Sequence, residues 1–139
     1  MKILVICTGN SCRSQIAEGF FRKFGGDKLE VTSAGLYPQG VHPDAISVMN
    51  EVGIDISGQD SNQVNDLVDR SFDYVITVCN HAAAHCPTFP GGGTRLHWPF
   101  DNPTSDSPDE DPAARFRRVR DEIGRQVKRW LREVGGSGS

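Results

Sequence analysis

The chain has 139 residues, of which 37% are hydrophobic and 24% charged, the balance of one globular domain with room for a real core; disordered and fibrous classes are excluded. A formal charge of −3 argues against a general nucleic-acid binder, although the carboxyl-terminal segment is locally basic. The aliphatic runs fall far short of the roughly 20 residues that a membrane span needs, and Met1-Lys2 leads into a strand rather than a signal peptide, so a cytoplasmic location is expected.

Ile3-Leu4-Val5-Ile6 reads as a strand buried on both faces. It stops at Cys7-Thr8-Gly9-Asn10-Ser11-Cys12-Arg13-Ser14, a short polar loop, after which Gln15 to Phe21 carries apolar positions at helical spacing. A strand, a tight loop and a helix in that order form an anion cradle, because the loop amides and the first unpaired helical N–H groups converge on one spot. Arg13 adds a planar, permanently charged fork. Positive potential in such loops favours thiolate over thiol and lowers cysteine pKa values to roughly 3.5 to 7.5, with the Ser14 hydroxyl and the Asn10 amide available as donors to the sulfur. Cys7 is therefore the candidate nucleophile, and Thr8, Gly9, Asn10, Ser11, Cys12, Arg13 and Ser14 the candidate oxyanion site. A cysteine and an arginine six residues later are a weak pattern alone; the strand before and the helix after give it weight. Cys12 itself reads as a small buried thiol.

Gly25-Gly26 should end the first helix, and Leu29 to Ala34 alternates as a second strand before Gly35. Pro43 to Met49 reads as a helix with proline in its first turn, Val52 to Ile56 as a loop, and Gln63 to Val68 as a short second helix. Phe72 to Val78 is a strong strand that stops at Cys79. Ala82 to Cys86 reads as a turn of helix, followed by Pro87, Pro90 and Gly91-Gly92-Gly93, the most mobile stretch by composition. Thr94 to Trp98 is a shorter strand and Pro99 to Asp111 a loop. Pro112 starts the longest helix, with Phe116, Val119, Ile123, Val127, Trp130 and Val134 on one face and its arginines on a solvated opposite face. Residues 1–134 form the domain; 135–139 read as a flexible tail or an appended remnant.

Strands separated by helices imply an α/β fold, a single domain with a four-stranded parallel sheet and helices on both faces. Ligands in such sheets sit at the carboxyl ends of the strands, where Cys7 and Cys79 both lie. Neighbouring strands run about 4.8 Å apart, so these two cysteines would nearly meet disulfide geometry. A helix between Cys79 and Cys86 would hold their Cα atoms about 10.5 Å apart, beyond bridging distance, so joining them requires the segment to refold. A reducing compartment disfavours structural disulfides among the four cysteines. The expectation is a thiol relay from Cys7 to Cys79 to Cys86.

The loop Cys7 to Ser14, the segment Ser33-Ala34-Gly35, the Cys79 and Cys86 pair, His97-Trp98 with Phe100-Asp101, and Arg118-Val119-Arg120-Asp121-Glu122-Ile123 together resemble the thioredoxin-coupled arsenate reductases. Those enzymes share a fold with the low-molecular-weight protein tyrosine phosphatases. The resemblance implies reduction of arsenate to arsenite: Cys7 attacks arsenate held by the loop amides and Arg13, and Asp101 protonates the departing oxygen. Cys79 then attacks Cys7, giving a Cys7 to Cys79 disulfide, and Cys86 displaces Cys7 to leave Cys79 bridged to Cys86 for thioredoxin to reduce. Phosphate and sulfate would bind as analogues, a monomer is expected, and no cofactor is required. Some relatives bind potassium beside the loop, an arrangement that Asn10, Glu18 and Ser33 match and Asp60 and Asn62 only approximate.

Asp101 also fits on physical grounds, since it follows the fourth strand on the same carboxyl edge; Asp106, Asp109, Glu110 and Asp111 read as solvated or helix-start charges. Two other readings stand beside this one. Cys79, His81, His85 and Cys86 have the identities of a zinc site, at compressed spacing. A tyrosine phosphatase would use Cys7, Arg13 and Asp101 and need no second thiol, but Asp101-Asn102-Pro103 is followed by Thr104-Ser105, with no ring to stack on a substrate ring.

Overall fold

The computed structural model describes residues 1–89, 91, 93–104 and 110–134. Four strands, β1 (Lys2–Cys7), β2 (Glu30–Gly35), β3 (Tyr74–Thr77) and β4 (Thr94–His97), form one parallel sheet in the order β2-β1-β3-β4. The helices are α1 (Arg13–Gly25), α2 (Pro43–Asn50), α3 (Asn80–His85) and α4 (Pro112–Val134), with 3₁₀ turns at Gly26–Lys28 and Val64–Leu67. The tail 135–139 lies outside the described residues.

β1 is a central strand, and its sequence suits that place. Successive side chains point to opposite faces, and Ile3, Leu4, Val5 and Ile6 are all 0% exposed, so both faces are covered. Each such side chain contributes about 1.5–3 kcal/mol of burial. α1 ends where Gly26 turns to φ 58°, a left-handed conformation that glycine adopts without penalty. α2 begins at Pro43, with His42 as its N-cap.

The long helix α4 buries Phe116, Val119, Ile123, Val127 and Trp130. Trp130 meets Phe21 and Tyr74 edge-on at centroid distances of 5.9 and 4.8 Å, and Trp98 stacks on Phe21 at 6.1 Å, so both tryptophans serve packing. Two arginines of α4 depart from the expected solvated face, while Arg117, Arg125, Arg129 and Arg132 keep to it. Arg115 and Arg120 are buried; Arg120 donates to the Val48 carbonyl at 3.0 Å and to Glu51 at 2.8 Å, and Arg115 donates to the Pro103 and Glu110 carbonyls. They flank the apolar stripe, and their length carries each guanidinium to backbone acceptors that periodicity cannot show. Of the stretch after α3, Phe89 is buried edge-on against Phe72, while Pro90 and Gly92 lie outside the described residues.

Candidate active site

The loop between β1 and α1 is held by its own main chain and by the segment after β2. Asn10 takes φ 46°, a left-handed turn that asparagine tolerates, which brings its N–H to 3.2 Å from the Cys7 Sγ. The N–H groups of Leu36, Tyr37, Gln39 and His42 donate in turn to the carbonyls of Cys7, Thr8, Gly9 and Ser11, at 2.9 to 3.3 Å. With these carbonyls engaged behind it, the loop keeps its amides for a ligand. Gly35 permits the fit: a Cβ there would lie 2.7 Å from Asn10 N and 2.8 Å from the Thr8 carbonyl.

The Cys7 sulfur ends a short polar chain. Ser14 Oγ lies 2.9 Å from it and 2.8 Å from Asn10 Oδ1, and all three residues are buried. The serine has one hydrogen to give. With a thiol, Cys7 donates to Ser14 and Ser14 to Asn10; with a thiolate, the serine hydrogen turns to sulfur. Burial pushes the neighbouring Cys12 thiol up to about 11, against a small lowering from the Ser11 hydroxyl, so Cys12 stays a neutral wall residue.

Cys7 and Arg13 open into a pocket of about 390 Å³, whose further walls include Gln39, His42, Asn102 and Thr104. Arg13 donates to the Phe100 carbonyl at 3.1 Å, so the segment after β4 holds the guanidinium at the rim. Asp101 does not line this pocket here. Its carboxylate is exposed and accepts from Arg118 at 3.0 Å, beside Glu110 and Glu122 on the same guanidinium.

Cys79 stands on the same rim. β1 and β3 pair in register up to Ile6 and Thr77, and the Val78 N–H donates to the Ile6 carbonyl, which sets Cys79 just past the level of Cys7. Its sulfur lies 3.2 Å from Thr8 Oγ1 and caps α3 by accepting from the Ala82 N–H at 3.4 Å. This cap starts α3 at Asn80, earlier than the alanine run alone suggests. His97 bridges Thr77 and Asn80 at 2.8 Å each, joining β3, β4 and the first turn of α3. Cys86 lies at the far end of α3, half-buried, its thiol held up by burial. All four cysteines are free thiols.

Cys79 and Cys86 thus sit at opposite ends of α3, and among the described residues no three His, Cys, Asp or Glu side chains group closely enough to hold a metal ion. Cys79, His81, His85 and Cys86, the residues of the zinc reading, are not gathered as a ligand set in this structure. At the expected potassium arrangement, Glu18 has partners of its own. Glu18 is buried, one carboxylate oxygen accepts from Ser33 Oγ at 2.6 Å, and the other pairs with Arg22 at 2.8 Å. Asn10 turns its amide nitrogen toward the Ser33 carbonyl and gives its oxygen to Ser14. The Glu18 charge is met by Arg22, and Glu18, Asp60 and Asn62 line one cavity of about 470 Å³.

The profile described as low molecular weight phosphotyrosine protein phosphatase matches residues 2–138. The chain belongs to this family. Within the family it is 49% identical to an arsenate reductase of Halalkalibacterium halodurans over 127 residues, 91% of each chain. It is also similar to a solved arsenate reductase in a phosphate-binding state, with TM-score 0.80, 36% identity, and 96% and 98% of the two chains covered. A thioredoxin-dependent arsenate reductase of Corynebacterium glutamicum matches with TM-score 0.76 and 29% identity, over 96% of this chain and 61% of that one. The family's single-domain parallel α/β fold is the fold found here.

His42, Gln39, Asn102 and Thr104 as pocket walls are not apparent in the sequence. For His42 a signal exists, since a residue before a helix-starting proline is a cap position, but its neighbour across the loop is a tertiary fact.

Proposed function

We propose that this protein reduces arsenate to arsenite through Cys7, Cys79 and Cys86, with thioredoxin as the reductant. The observation that carries the reading is the 3.2 Å approach of Thr8 Oγ1 to Cys79 Sγ, one residue from the nucleophile. A phosphatase of this fold, resolved by water, has no use for a second sulfur there. The arsenate reductase relatives support the substrate class, and the Corynebacterium glutamicum neighbour supports the reductant.

In the proposed course the Cys7 thiolate attacks arsenic(V), with the oxyanion on the loop amides and Arg13, and an oxygen leaves as water after taking a proton from Asp101. Asp101 exchanges Arg118 for the leaving oxygen to do this. The Cys79 thiolate then attacks the Cys7 sulfur; the S–S bond forms, and the S–As electron pair passes to arsenic, which leaves as arsenite. Cys86 attacks Cys79, expels the Cys7 thiolate and closes the Cys79 to Cys86 disulfide, for which α3 unwinds. Two electrons from the thioredoxin dithiol restore the thiols.

A single turnover with arsenate, followed by peptide mapping of disulfides, tests the reading. Expected is a Cys79 to Cys86 link in the parent and a trapped Cys7 to Cys79 link in Cys86→Ser. Brisk hydrolysis of p-nitrophenyl phosphate with no bridge after arsenate would instead establish the phosphatase. Against that outcome, none of the described residues lining the pocket is Phe, Tyr or Trp.

A further inference from the structure

We infer that His42 is an oxyanion-binding residue of the Cys7 pocket, acting through the N–H at Nε2. The inference rests on the reading of the loop as an oxyanion site. His42 lines the same pocket as Cys7 and Arg13. Its main chain is fixed to the anion loop, because its N–H donates to the Ser11 carbonyl at 3.0 Å. The ring is fixed as well: Nδ1 accepts from the Asp44 N–H at 3.0 Å, capping α2, and the imidazole leans on Phe116 at a centroid distance of 5.4 Å.

The tautomer follows from the cap. A neutral imidazole has one accepting and one donating nitrogen, so with Nδ1 accepting, the hydrogen is on Nε2. That N–H has no acceptor among the described residues, and the side chain is one-third exposed, at 33%. A held ring with a spare donor on the wall of an anion pocket is a binding group in waiting. A tetrahedral oxyanion offers more lone pairs than the loop amides and the Arg13 fork engage together, and His42 takes a peripheral oxygen that is not displaced in the reaction.

Two substitutions separate this role from capping. Asn places an acceptor where Nδ1 stands and keeps the cap but has no donor at Nε2; Gln restores a donor near Nε2, and Gln63 of the same chain shows that glutamine too can cap the N–H two residues on. Inorganic phosphate is titrated calorimetrically into the reduced parent, His42→Asn and His42→Gln, beside thermal melts of each. Expected is a loss of about tenfold in phosphate affinity for His42→Asn with its melting temperature kept, and parent-like affinity for His42→Gln. The opposite pattern, with His42→Asn binding like the parent, overturns the inference and leaves the loop reading intact. A parent that binds no phosphate overturns both.

Discussion

Thr8 Oγ1 and Cys79 Sγ lie 3.2 Å apart, although 71 residues separate them in sequence. Thr8 belongs to the anion loop and Cys79 to the cap of α3, so one hydrogen bond ties the nucleophile's loop to the second thiol. Thr8→Val keeps a similar shape and removes the tie. Formation of the Cys7 to Cys79 link after arsenate should slow by about three- to tenfold, the effect of one hydrogen bond. Acid quenching of a single turnover with disulfide mapping measures it; an unchanged rate would show that Cys79 needs no such guide.

Gly35 is the point at which the loop leans on β2. An added methyl would lie 2.7 to 2.9 Å from Asn10 N, the Thr8 carbonyl oxygen and Asn10 Cβ, two of them backbone atoms that cannot swing aside. Gly35→Ala should therefore destabilise the fold by about 1–3 kcal/mol and, by shifting the Asn10 N–H that faces Cys7, weaken phosphate binding. Urea melts and calorimetry test the two effects together.

Much of this site is legible in the sequence because it is local. Cys7 closes an aliphatic strand and precedes a helix, and Cys79 closes another strand, so both fall on the carboxyl rim of any parallel sheet. That β1 lies next to β3 is a matter of pairing, and no residue pattern states it. The buried arginines of α4 illustrate the same divide. Apolar spacing marks Phe116, Val119 and Ile123, yet it cannot tell that Arg115 and Arg120 reach inward to carbonyls of segments distant in the chain. His42 and Arg22 escape for a similar reason: their partners are visible as neighbours on a helix, whereas what makes them matter is the loop and strand on the other side.

The Cys12 thiol provides a pH signature. Burial raises it from 9.0 in the unfolded chain to about 11 in the fold, so the fold favours the protonated form. Its contribution to stability is complete below pH 9 and is lost as pH rises through about 11, on the order of 2 kcal/mol. The difference in urea midpoint between the parent and Cys12→Ala, followed from pH 8 to 11, isolates this thiol from the other groups that titrate in alkali. The parent should lose stability faster than the variant across that window. At neutral pH Cys12→Ala should still pass the disulfide from Cys7 to Cys86, because a neutral wall thiol takes no part in the exchange.

Arg22 balances the buried Glu18 carboxylate. Its guanidinium meets the buried Glu18 carboxylate at 2.8 Å and also donates to the Val31 carbonyl, so the charge behind the anion loop is balanced from within the chain. Exchanging potassium for sodium at constant ionic strength should leave the melting temperature and the phosphate affinity of the parent unchanged. Arg22 is itself half-exposed, which limits the worth of the pair, and Arg22→Met should lower stability by about 1 kcal/mol rather than by the larger penalty of a fully buried pair. The same variant leaves Glu18, Ser33 and their oxygens without a cation. A potassium-dependent rise in melting temperature should therefore appear in Arg22→Met and not in the parent; a parent that responds to potassium would mean that Arg22 does not satisfy Glu18 in solution.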